Sequence, residues 1–412
     1  MTRLTTEQAA RRLGIKPATL YAYVSRGIVE SSPSRDGRKR TFSAGDIEDL
    51  AKRGRPRQAS RSHALDFTID TAVTSITQHQ LSYRGHNAIE LAASATYEQV
   101  AGLLMEGALS SHQEWPAREV TVPDHLTVPD DLGVFERVAF VAIVAGSRDP
   151  LRNDLSPGSV AETARALICS VVGSMPALGD GRTPRLTIDG HAYRSTIAGR
   201  LWTRLSARRP VTGMVETLNA ALILLADHEL AVSTVAARVA ASTRADPYAV
   251  VSAAVAAMSG PLHGGAVRPA SRMLHDALAR TDRGEGRLGA ERAASDALEL
   301  FGAYPGFGHM VYKSGDPRAE AMLAMLRRVA GGTKEMNVVD GVVAAIHRRR
   351  ELRPNIDLAL AAFGLVGGLP EQSGQVIFSL ARIAGWTAHA IEEYGEAPLR
   401  YRARAVYVGP DG

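Results

Sequence analysis

Three short segments of the chain place proton-handling side chains where glycine or proline interrupts regular backbone. They are Gly-Pro-Leu-His-Gly-Gly at residues 260–265, Gly-Phe-Gly-His-Met-Val-Tyr-Lys at residues 306–313 and Pro-Asn-Ile-Asp at residues 354–357. Stretches of this kind favour sharp turns. Two histidines and one aspartate are the smallest set that moves a proton off carbon and onto oxygen near neutral pH. The three segments therefore predict acid–base chemistry at a carbon atom.

Each segment suggests how its side chain would be used. We expect the turn after Gly260 to fix the ring of His263 beside a tight glycine backbone, and the backbone N–H groups of residues 306–308 to face a ligand. An aspartate in a closing, dry site acquires a raised pKa and can act as a base. Asp357 is therefore the predicted base.

The elements that must position these groups are helices. Apolar residues recur at i, i+3 and i+4 through residues 97–105, 131–144, 159–172, 195–206 and 214–226, and residues 233–258 can hold two Ala-rich helices. There is no alternation of strands and helices and no glycine-rich phosphate loop. The pattern predicts a predominantly α fold.

Charge is distributed unevenly along the 412 residues. The first 66 residues hold 14 Lys and Arg against 7 Asp and Glu, a net charge of +7, whereas the whole chain is +5 and the remainder is therefore −2. Such asymmetry predicts a polyanionic partner for the N-terminal segment alone.

The N-terminal segment has the pattern of a small DNA-binding module. Helical spacing around Ala9 and Leu13 is followed by a second helix from Pro17, a turn signal at residues 34–38 and a short third helix with Ile47. The pattern resembles the winged helix-turn-helix of the MerR/excisionase family. It predicts a domain at residues 1–52 and a basic linker at residues 53–66. The alternative is a helical docking or oligomerisation cap with a solvated basic face.

The resemblance also identifies the residues that would face duplex DNA. A second helix in the major groove would present four side chains, and the wing would bring four cations to phosphates. These residues are Lys16, Thr19, Tyr21 and Tyr23 in the helix, and Arg35, Arg38, Lys39 and Arg40 in the wing.

Composition excludes several other classes of protein. A single cysteine, Cys169, rules out an intramolecular disulfide, which fits a cytoplasmic protein. No stretch reaches 18 apolar residues and no signal peptide is evident, so neither a membrane span nor a membrane partner is expected. The histidines are scattered, so no metal site is expected.

The three chemical segments, in this order, resemble the citrate synthase family, as does Leu-Ser-Tyr-Arg-Gly at residues 81–85. The resemblance implies an all-α body of two helical domains behind the winged helix-turn-helix domain, in a homodimer with sites shared between subunits. The large domain would span residues 67–265 and the small domain residues 266–367. Residues 368–412 would return to the large domain and form a C-terminal arm.

The resemblance assigns roles to individual residues. Asp357 would be the base, His263 would stabilise the enol oxygen and His309 would activate the ketone. The oxaloacetate-binding residues would be His228, Arg318, Arg382 and, from the partner subunit's copy of the chain, Arg402. The coenzyme A contacts would come from Gly306, Phe307, Gly308 and Lys313.

The implied activity is that of an acyltransferase. Acetyl-CoA or propionyl-CoA would condense with oxaloacetate to give citrate or 2-methylcitrate and free CoA, as in the tricarboxylic acid cycle, with no cofactor besides the acyl-CoA substrate. One methyl group is worth only about 1–3 kcal/mol of discrimination, so the acyl group stays open. The segments also depart from the usual family pattern, for example at Met310 and Leu358. An alternative is a transcription regulator whose synthase-like body senses a metabolite, although a sensor would not need the base Asp357.

Overall fold

A computed structural model provides the three-dimensional structure of the protein. It describes residues 3–13, 15–25, 29–33, 40–47, 68–110, 115, 128–178 and 182–401. The chain divides into two compact units, Met1–Asp70 and Thr71–Gly412. The predicted linker at residues 53–66 lies outside the described residues.

The N-terminal unit combines short helices with a small antiparallel sheet. Its elements are β1 (Arg3–Thr5), α1 (Thr6–Leu13), α2 (Pro17–Ser25), β2 (Ser31–Pro33) and β3 (Arg40–Ser43), and residues 44–47 are also helical. The strand order is β1-β3-β2. The predicted hairpin is present as β2 and β3, whose Ser32 and Thr41 are paired. The sequence pattern does not predict β1, which forms because Leu4 pairs with Phe42 on the free edge of β3.

This unit has its own small core. Its buried members are Ala9, Ala10, Leu20, Tyr23, Val29, Phe42 and Ile47. Both helices and the sheet contribute to it, as expected of a unit that folds around a helix-turn-helix.

The second unit is a helical body; its described residues include one three-stranded and one two-stranded sheet of short strands. Its strands are β4 (Thr74–Ile76), β5 (Leu81–Tyr83), β6 (His86–Asn87), β7 (Leu186–Ile188) and β8 (His191–Tyr193). Its first helices are α3 (Ala88–Ser94), α4 (Tyr97–Glu106), α5 (Val134–Arg148), α6 (Pro157–Gly173), α7 (Ile197–Leu205), α8 (Met214–Leu225), α9 (Val232–Ser242) and α10 (Pro247–Met258). A 3₁₀ turn at Gly264–Ala266 leads into α11 (Val267–Asp282), α12 (Gly286–Phe301), α13 (Pro317–Ala330), α14 (Lys334–Arg350), α15 (Ile356–Gly367) and α16 (Ser373–Tyr394). The predicted α class is confirmed.

Helix α16 is the central element of the body. Its residues are buried on nearly every side from Ser373 to Ala390, and it packs against α4, α6, α8, α9 and α10. A helix surrounded in this way must be apolar around its whole circumference. Its few buried polar side chains, including Arg382, are therefore candidates for function.

Helices α11 to α15 pack against one another, with α11 contacting α12, α14 and α15. They occupy the part of the sequence predicted as the small domain. The boundaries of that domain and of the large domain remain predictions. None of the helices in the described ranges is long and apolar enough to cross a lipid bilayer.

Candidate active site

His263 is fixed by a turn whose glycines allow close backbone contacts. The backbone N–H of His263 donates to Gly260 O at 3.0 Å, and that of Gly265 donates to the same oxygen at 3.2 Å. A Cβ atom on Gly264 would lie 2.7 Å from Met258 Cγ and 2.8 Å from Met258 O, so a side chain does not fit there. The loop therefore packs directly onto the end of α10.

The imidazole of His263 is hydrogen-bonded through Nε2. Trp386 Nε1 donates to Ser233 Oγ at 3.1 Å, so the Ser233 hydroxyl proton is available to His263 Nε2, 2.8 Å away. We assign this proton to the bond, which makes Nε2 the acceptor and leaves the ring proton on Nδ1. Burial, assisted by the positive charge of Arg382, lowers the pKa of His263 to about 4. His263 is neutral at pH 7 and offers an N–H donor.

His309 is also a neutral donor, by a different arrangement. Its Nδ1 accepts the backbone N–H groups of Val311 at 3.0 Å and Tyr312 at 3.3 Å, so the proton lies on Nε2. Burial and then the positive charge of Arg318 lower the pKa of His309. The loop thus aims a neutral N–H group away from its own backbone.

The loop of His309 is tied to the start of α15, which carries Asp357. Gly308 N donates to Arg353 O and Asn355 N donates to Gly306 O, both at 2.9 Å. Asn355 also donates through Nδ2 to Gly308 O at 2.9 Å, and its Oδ1 caps α15 by accepting from Asp357 N at 3.0 Å. These hydrogen bonds therefore fix the loop of His309 relative to the segment that carries Asp357.

The backbone hydrogen bonds of this loop contradict the expectation that the N–H groups of residues 306–308 face a ligand. The N–H of Phe307 donates to Tyr304 O at 3.2 Å, and that of Gly308 is taken by Arg353. Neither group is free to face a ligand. Gly306 is needed for another reason: its φ is +80°, and a Cβ there would lie 2.8 Å from Leu358 Cβ.

Asp357 has the protonation behaviour of a base. Burial raises the pKa of its carboxyl to about 6, although the positive charge of Arg318 opposes the rise. A carboxyl with this pKa is mostly ionised at pH 7, yet it accepts a proton more readily than an exposed aspartate.

Arg318 is held rigidly by Asp316. Nε and Nη2 of Arg318 donate to the two carboxylate oxygens at 3.0 and 2.8 Å, with both side chains almost fully buried. Although burial opposes it, this pairing raises the pKa of Arg318. Asp316 also accepts from Ile356 N at 3.1 Å, which joins α13 to the start of α15. The fork–fork geometry fixes the direction of the guanidinium.

Arg382 and His228 carry buried polar atoms that lack a partner within the described residues. Arg382 Nε donates to Leu225 O at 2.7 Å and its guanidinium lies over the Phe378 ring, but Nη1 has no acceptor. His228 Nε2 is likewise buried and unpaired. Burial lowers the pKa of Arg382 to about 10, and burial with Arg318 and Arg382 lowers the pKa of His228. Unpaired buried groups of this kind are costly unless a ligand satisfies them.

These side chains share one site. The ring centroids of His228 and His309 are 5.4 Å apart, and Arg318 Nη2 is 3.5 Å from His309 Nε2. The charges of Arg318 and Arg382 both act on His228, and Arg318 also acts on Asp357. The fold thus brings together His228, His263, His309, Arg318, Asp357 and Arg382.

Several side chains of the site were not predicted from the sequence. Tyr312 is buried, its ring centroid lies 4.7 Å from that of His309 and 5.7 Å from that of His228, and its hydroxyl has no partner among the described residues. Phe378 packs edge-on against His263 at 5.8 Å. The sequence held one signal for each residue. Tyr312 lies in the same short segment as His309, and Phe378 lies one helical turn before Arg382, so both could have been predicted to lie near the site.

Other predicted residues lie elsewhere or outside the described ranges. Lys313 is exposed, and Arg402 is outside the described residues. In the N-terminal unit, Lys16, Tyr21 and Arg40 are exposed and Thr19 is half-buried, whereas Arg35, Arg38 and Lys39 lie outside the described residues. Tyr23 is only 8% exposed and belongs to the core of that unit, so its side chain does not present itself to a groove.

Within the ranges that the structure describes, no group of three or more His, Cys, Asp and Glu side chains could hold a metal ion. Around the histidines of this site, the buried atoms that lack partners among the described residues include nitrogens of His228 and Arg382. These nitrogens suit an anionic organic ligand.

Comparison with known proteins covers both units. A family model for the citrate synthase C-terminal domain matches residues 67–404, and a helix-turn-helix domain model matches residues 3–55. Citrate synthase 2 of Bacillus subtilis is 31% identical over 356 residues, which cover 83% of this chain and 93% of the relative. The 2-methylcitrate synthase of Mycobacterium tuberculosis is 29% identical over 358 residues, or 82% of this chain and 88% of the relative.

A solved structure shows the same architecture. The citrate synthase of Thermoplasma acidophilum, in a ternary complex with carboxymethyl coenzyme A and oxaloacetate, superposes with a TM-score of 0.68 at 26% identity, covering 86% of this chain and 97% of that one. The chain therefore belongs to the citrate synthase family of acyltransferases and carries a helix-turn-helix domain ahead of the family's body.

Proposed function

We propose that the protein condenses acetyl-CoA or propionyl-CoA with oxaloacetate and hydrolyses the resulting thioester, which yields citrate or 2-methylcitrate and free coenzyme A. The observation that carries this proposal is the pairing of two neutral histidine N–H donors with a carboxyl of pKa about 6 in one buried site. The family's named members support the same reaction.

The residues divide the proton transfers between them. Asp357 takes a proton from the carbon next to the thioester carbonyl, while Nδ1–H of His263 donates to the oxygen that becomes enolic. Nε2–H of His309 donates to the keto oxygen of oxaloacetate as the new carbon–carbon bond forms. Neutral donors suit both steps because each oxygen gains basicity only as the reaction proceeds. Water then cleaves the carbon–sulfur bond, and the thiol leaves with a proton.

The binding of oxaloacetate falls to the cationic side of the site. Nη1 of Arg382 and the rigid guanidinium of Arg318 are the groups for its two carboxylates, and Nε2 of His228 is a further hydrogen-bonding atom. Filling these positions would remove the cost of leaving buried polar atoms unpaired. In the same scheme Arg402 reaches the site of the partner subunit in a cytoplasmic homodimer.

The acyl-CoA side of the site is apolar and open. Leu262 is 99% exposed beside His263, and Met310 is 88% exposed beside His309. Large apolar side chains in such positions mark surfaces that become covered. We assign them to the acyl-CoA substrate, with Gly306, Phe307, Gly308 and Lys313 near its nucleotide end.

The direct test is thiol release monitored with a chromogenic disulfide reagent. Wild-type protein should release CoA from acetyl-CoA or propionyl-CoA only when oxaloacetate is present, and the ratio of kcat/KM values assigns the acyl group. Asp357→Asn serves as the matched inactive protein. Absence of turnover with both thioesters, together with measurable oxaloacetate binding by calorimetry, would instead favour the metabolite-sensor function.

A second function belongs to the N-terminal unit. We propose that it binds duplex DNA, because it combines a net charge of +7 in residues 1–66 with a helix-turn-helix match and exposed Lys16, Tyr21 and Arg40. Selection from a random duplex library should enrich one sequence. The affinity of the protein for that duplex should fall steeply as the salt concentration rises. Deletion of residues 1–66 should abolish duplex binding and leave CoA release intact. If no duplex sequence is enriched, the result would instead favour a docking or oligomerisation role for the N-terminal unit.

A further inference from the structure

A chain of hydrogen bonds between buried side chains begins next to His228. Asp227 is fully buried, and its Oδ2 accepts from Glu229 N at 2.9 Å and from His389 Nε2 at 3.2 Å. The carbonyl of Asp227 accepts from the hydroxyl of buried Tyr83 at 3.1 Å. The backbone on both sides of His228 is therefore held by interior groups.

The chain continues from His389 across α16 to α9. Arg238 Nε donates to His389 Nδ1 at 3.0 Å, which leaves the ring proton on Nε2 for Asp227. Arg238 is fully buried and donates through Nη1 to Glu393 Oε2 at 2.9 Å, while its Nη2 is paired with Glu392. The path therefore runs from Asp227 through His389 and Arg238 to Glu393, with a branch to Glu392.

The path of hydrogen bonds ends at Arg400 and Tyr401, the last residues that the structure describes. Glu393 has no exposed surface, and its two carboxylate oxygens accept from Arg400 Nε and Nη2, both at 2.7 Å. Tyr401 donates its hydroxyl to the same carboxylate at 2.8 Å. Arg402 follows directly in the sequence.

Such a network is expensive to assemble and rigid once formed. A buried charge that loses its partner costs several kcal/mol, so each member holds the next in place. Carboxylate–guanidinium forks also fix direction as well as distance. At one end of the path, Asp227 precedes His228, and at the other end Tyr401 precedes Arg402. His228 and Arg402 are both predicted oxaloacetate-binding residues.

We propose that Asp227, His389, Arg238 and Glu393 form a positioning network for oxaloacetate binding, which holds His228 at one end and the segment that leads to Arg402 at the other. The proposal rests on the function proposed above. These four residues touch no substrate themselves; they act through the two residues at the ends.

Glu393→Gln is the primary test, because it keeps the shape of the side chain and removes its charge. Loss of charge-assisted bonds to Arg400 predicts an increase in the KM for oxaloacetate of about tenfold. The kcat and the KM for the acyl-CoA should change less than twofold, since neither involves the displaced segment. A general loss of folding would lower kcat for all substrates alike.

Two further variants guard against a folding defect. Arg400 is 29% exposed, so Arg400→Ala should be tolerated and should reproduce the rise in the oxaloacetate KM, whereas Arg400→Lys should restore part of the wild-type value. The matched control is Glu396→Gln, whose carboxylate lies 3.9 Å from Arg400 Nη1 and is 49% exposed. It should behave as wild type.

A readout without catalysis separates this proposal from the proposed function. Trypsin should cut after Arg400 several-fold faster in Glu393→Gln than in wild type or Glu396→Gln, as followed by intact mass, because cleavage requires local opening. Calorimetry should show weaker oxaloacetate binding in the same variant. If Glu393→Gln matches wild type in cleavage, and both Glu393→Gln and Arg400→Ala match it in oxaloacetate affinity, the network has no positioning role, whatever the outcome of the CoA-release assay.

Discussion

Ser233 Oγ lies 2.8 Å from Nε2 of His263, and we assign the tautomer of this ring from that contact. Trp386 donates to the same hydroxyl, and we assign the serine's own proton to the contact with the histidine. The hydroxyl thus turns Nδ1 of His263 toward the substrate as the donor. Ser233 comes from α9 and Trp386 from α16, so two helices of the body orient the ring of a loop residue.

Ser233→Ala should therefore weaken the chemical step and leave substrate binding intact. Without the hydroxyl, both tautomers of His263 become accessible and Trp386 Nε1 loses its acceptor. We expect kcat to fall by about 10- to 100-fold, in the range for loss of an oriented proton donor. The KM for oxaloacetate should stay within twofold in steady-state assays. Ser252→Ala, which removes a hydroxyl bonded only to Tyr248 O on α10, is the control and should be silent.

Asp357→Asn should remove the base without altering its shape. A positioned general base contributes about 10²–10⁴ in rate, so kcat should fall by roughly that factor. Oxaloacetate binding, measured by calorimetry, should remain, because Asp357 acts on the other substrate. An Asn variant that turns over within tenfold of wild type would remove Asp357 from the mechanism.

The pH profile should report the same carboxyl. Because the pKa of Asp357 is raised to about 6, the base form is lost as pH falls through that value. The value of kcat/KM for the acyl-CoA should be level near pH 7.5 and decline about tenfold per pH unit below pH 6. His263, with a pKa of about 4, stays neutral across this range and adds no second step. A flat profile from pH 5 to pH 7 would contradict the assignment.

The raised pKa of Asp357 also determines how the stability of the folded protein changes with pH. Between the unfolded pKa of Asp357 near 3.8 and the folded value of about 6, the folded state binds more protons, so rising pH destabilises it across that window. Asp357→Asn should accordingly be more stable than wild type at pH 7.5, by on the order of 1–2 kcal/mol given partial solvent screening. The difference should shrink at pH 4.5. Urea unfolding at the two pH values measures it.

Much of the site could be predicted because its residues lie in continuous motifs. His263, His309 and Asp357 each follow a glycine or proline turn, and the apolar periodicity of residues 233–258 predicts helix α10, onto whose end the His263 loop packs. The helix that carries Asp357 was not among the predicted segments. The contacts that tune these residues come from distant positions. Ser233 reaches His263 across 30 residues and Tyr83 reaches Asp227 across 144, and no local pattern marks such pairs. Likewise, β1 forms only because β3 offers an edge, which propensity within residues 3–5 does not reveal.

Gly385 of α16 shows how closely the interior supports the site. Its N–H donates to Ala226 O at 3.0 Å, and a Cβ at this position would lie 2.3 Å from Asp227 Oδ1 and 2.4 Å from Ala226 O. Both obstacles are interior atoms, so the helix must shift to accept even one methyl group. Gly385→Ala should lower the free energy of unfolding by about 1–3 kcal/mol, the usual cost of overpacking.

The matched control for this substitution is Gly364→Ala. Gly364 lies within α15, and a Cβ there would meet nothing within 4 Å. Alanine should stabilise that helix by about 0.5–1 kcal/mol, because glycine loses more backbone freedom on folding. Gly385→Ala should in addition raise the KM for oxaloacetate, since a shifted α16 carries Arg382 and displaces Asp227 beside His228. Equal effects of the two substitutions on stability and on KM would show that α16 does not need its close contact with Asp227.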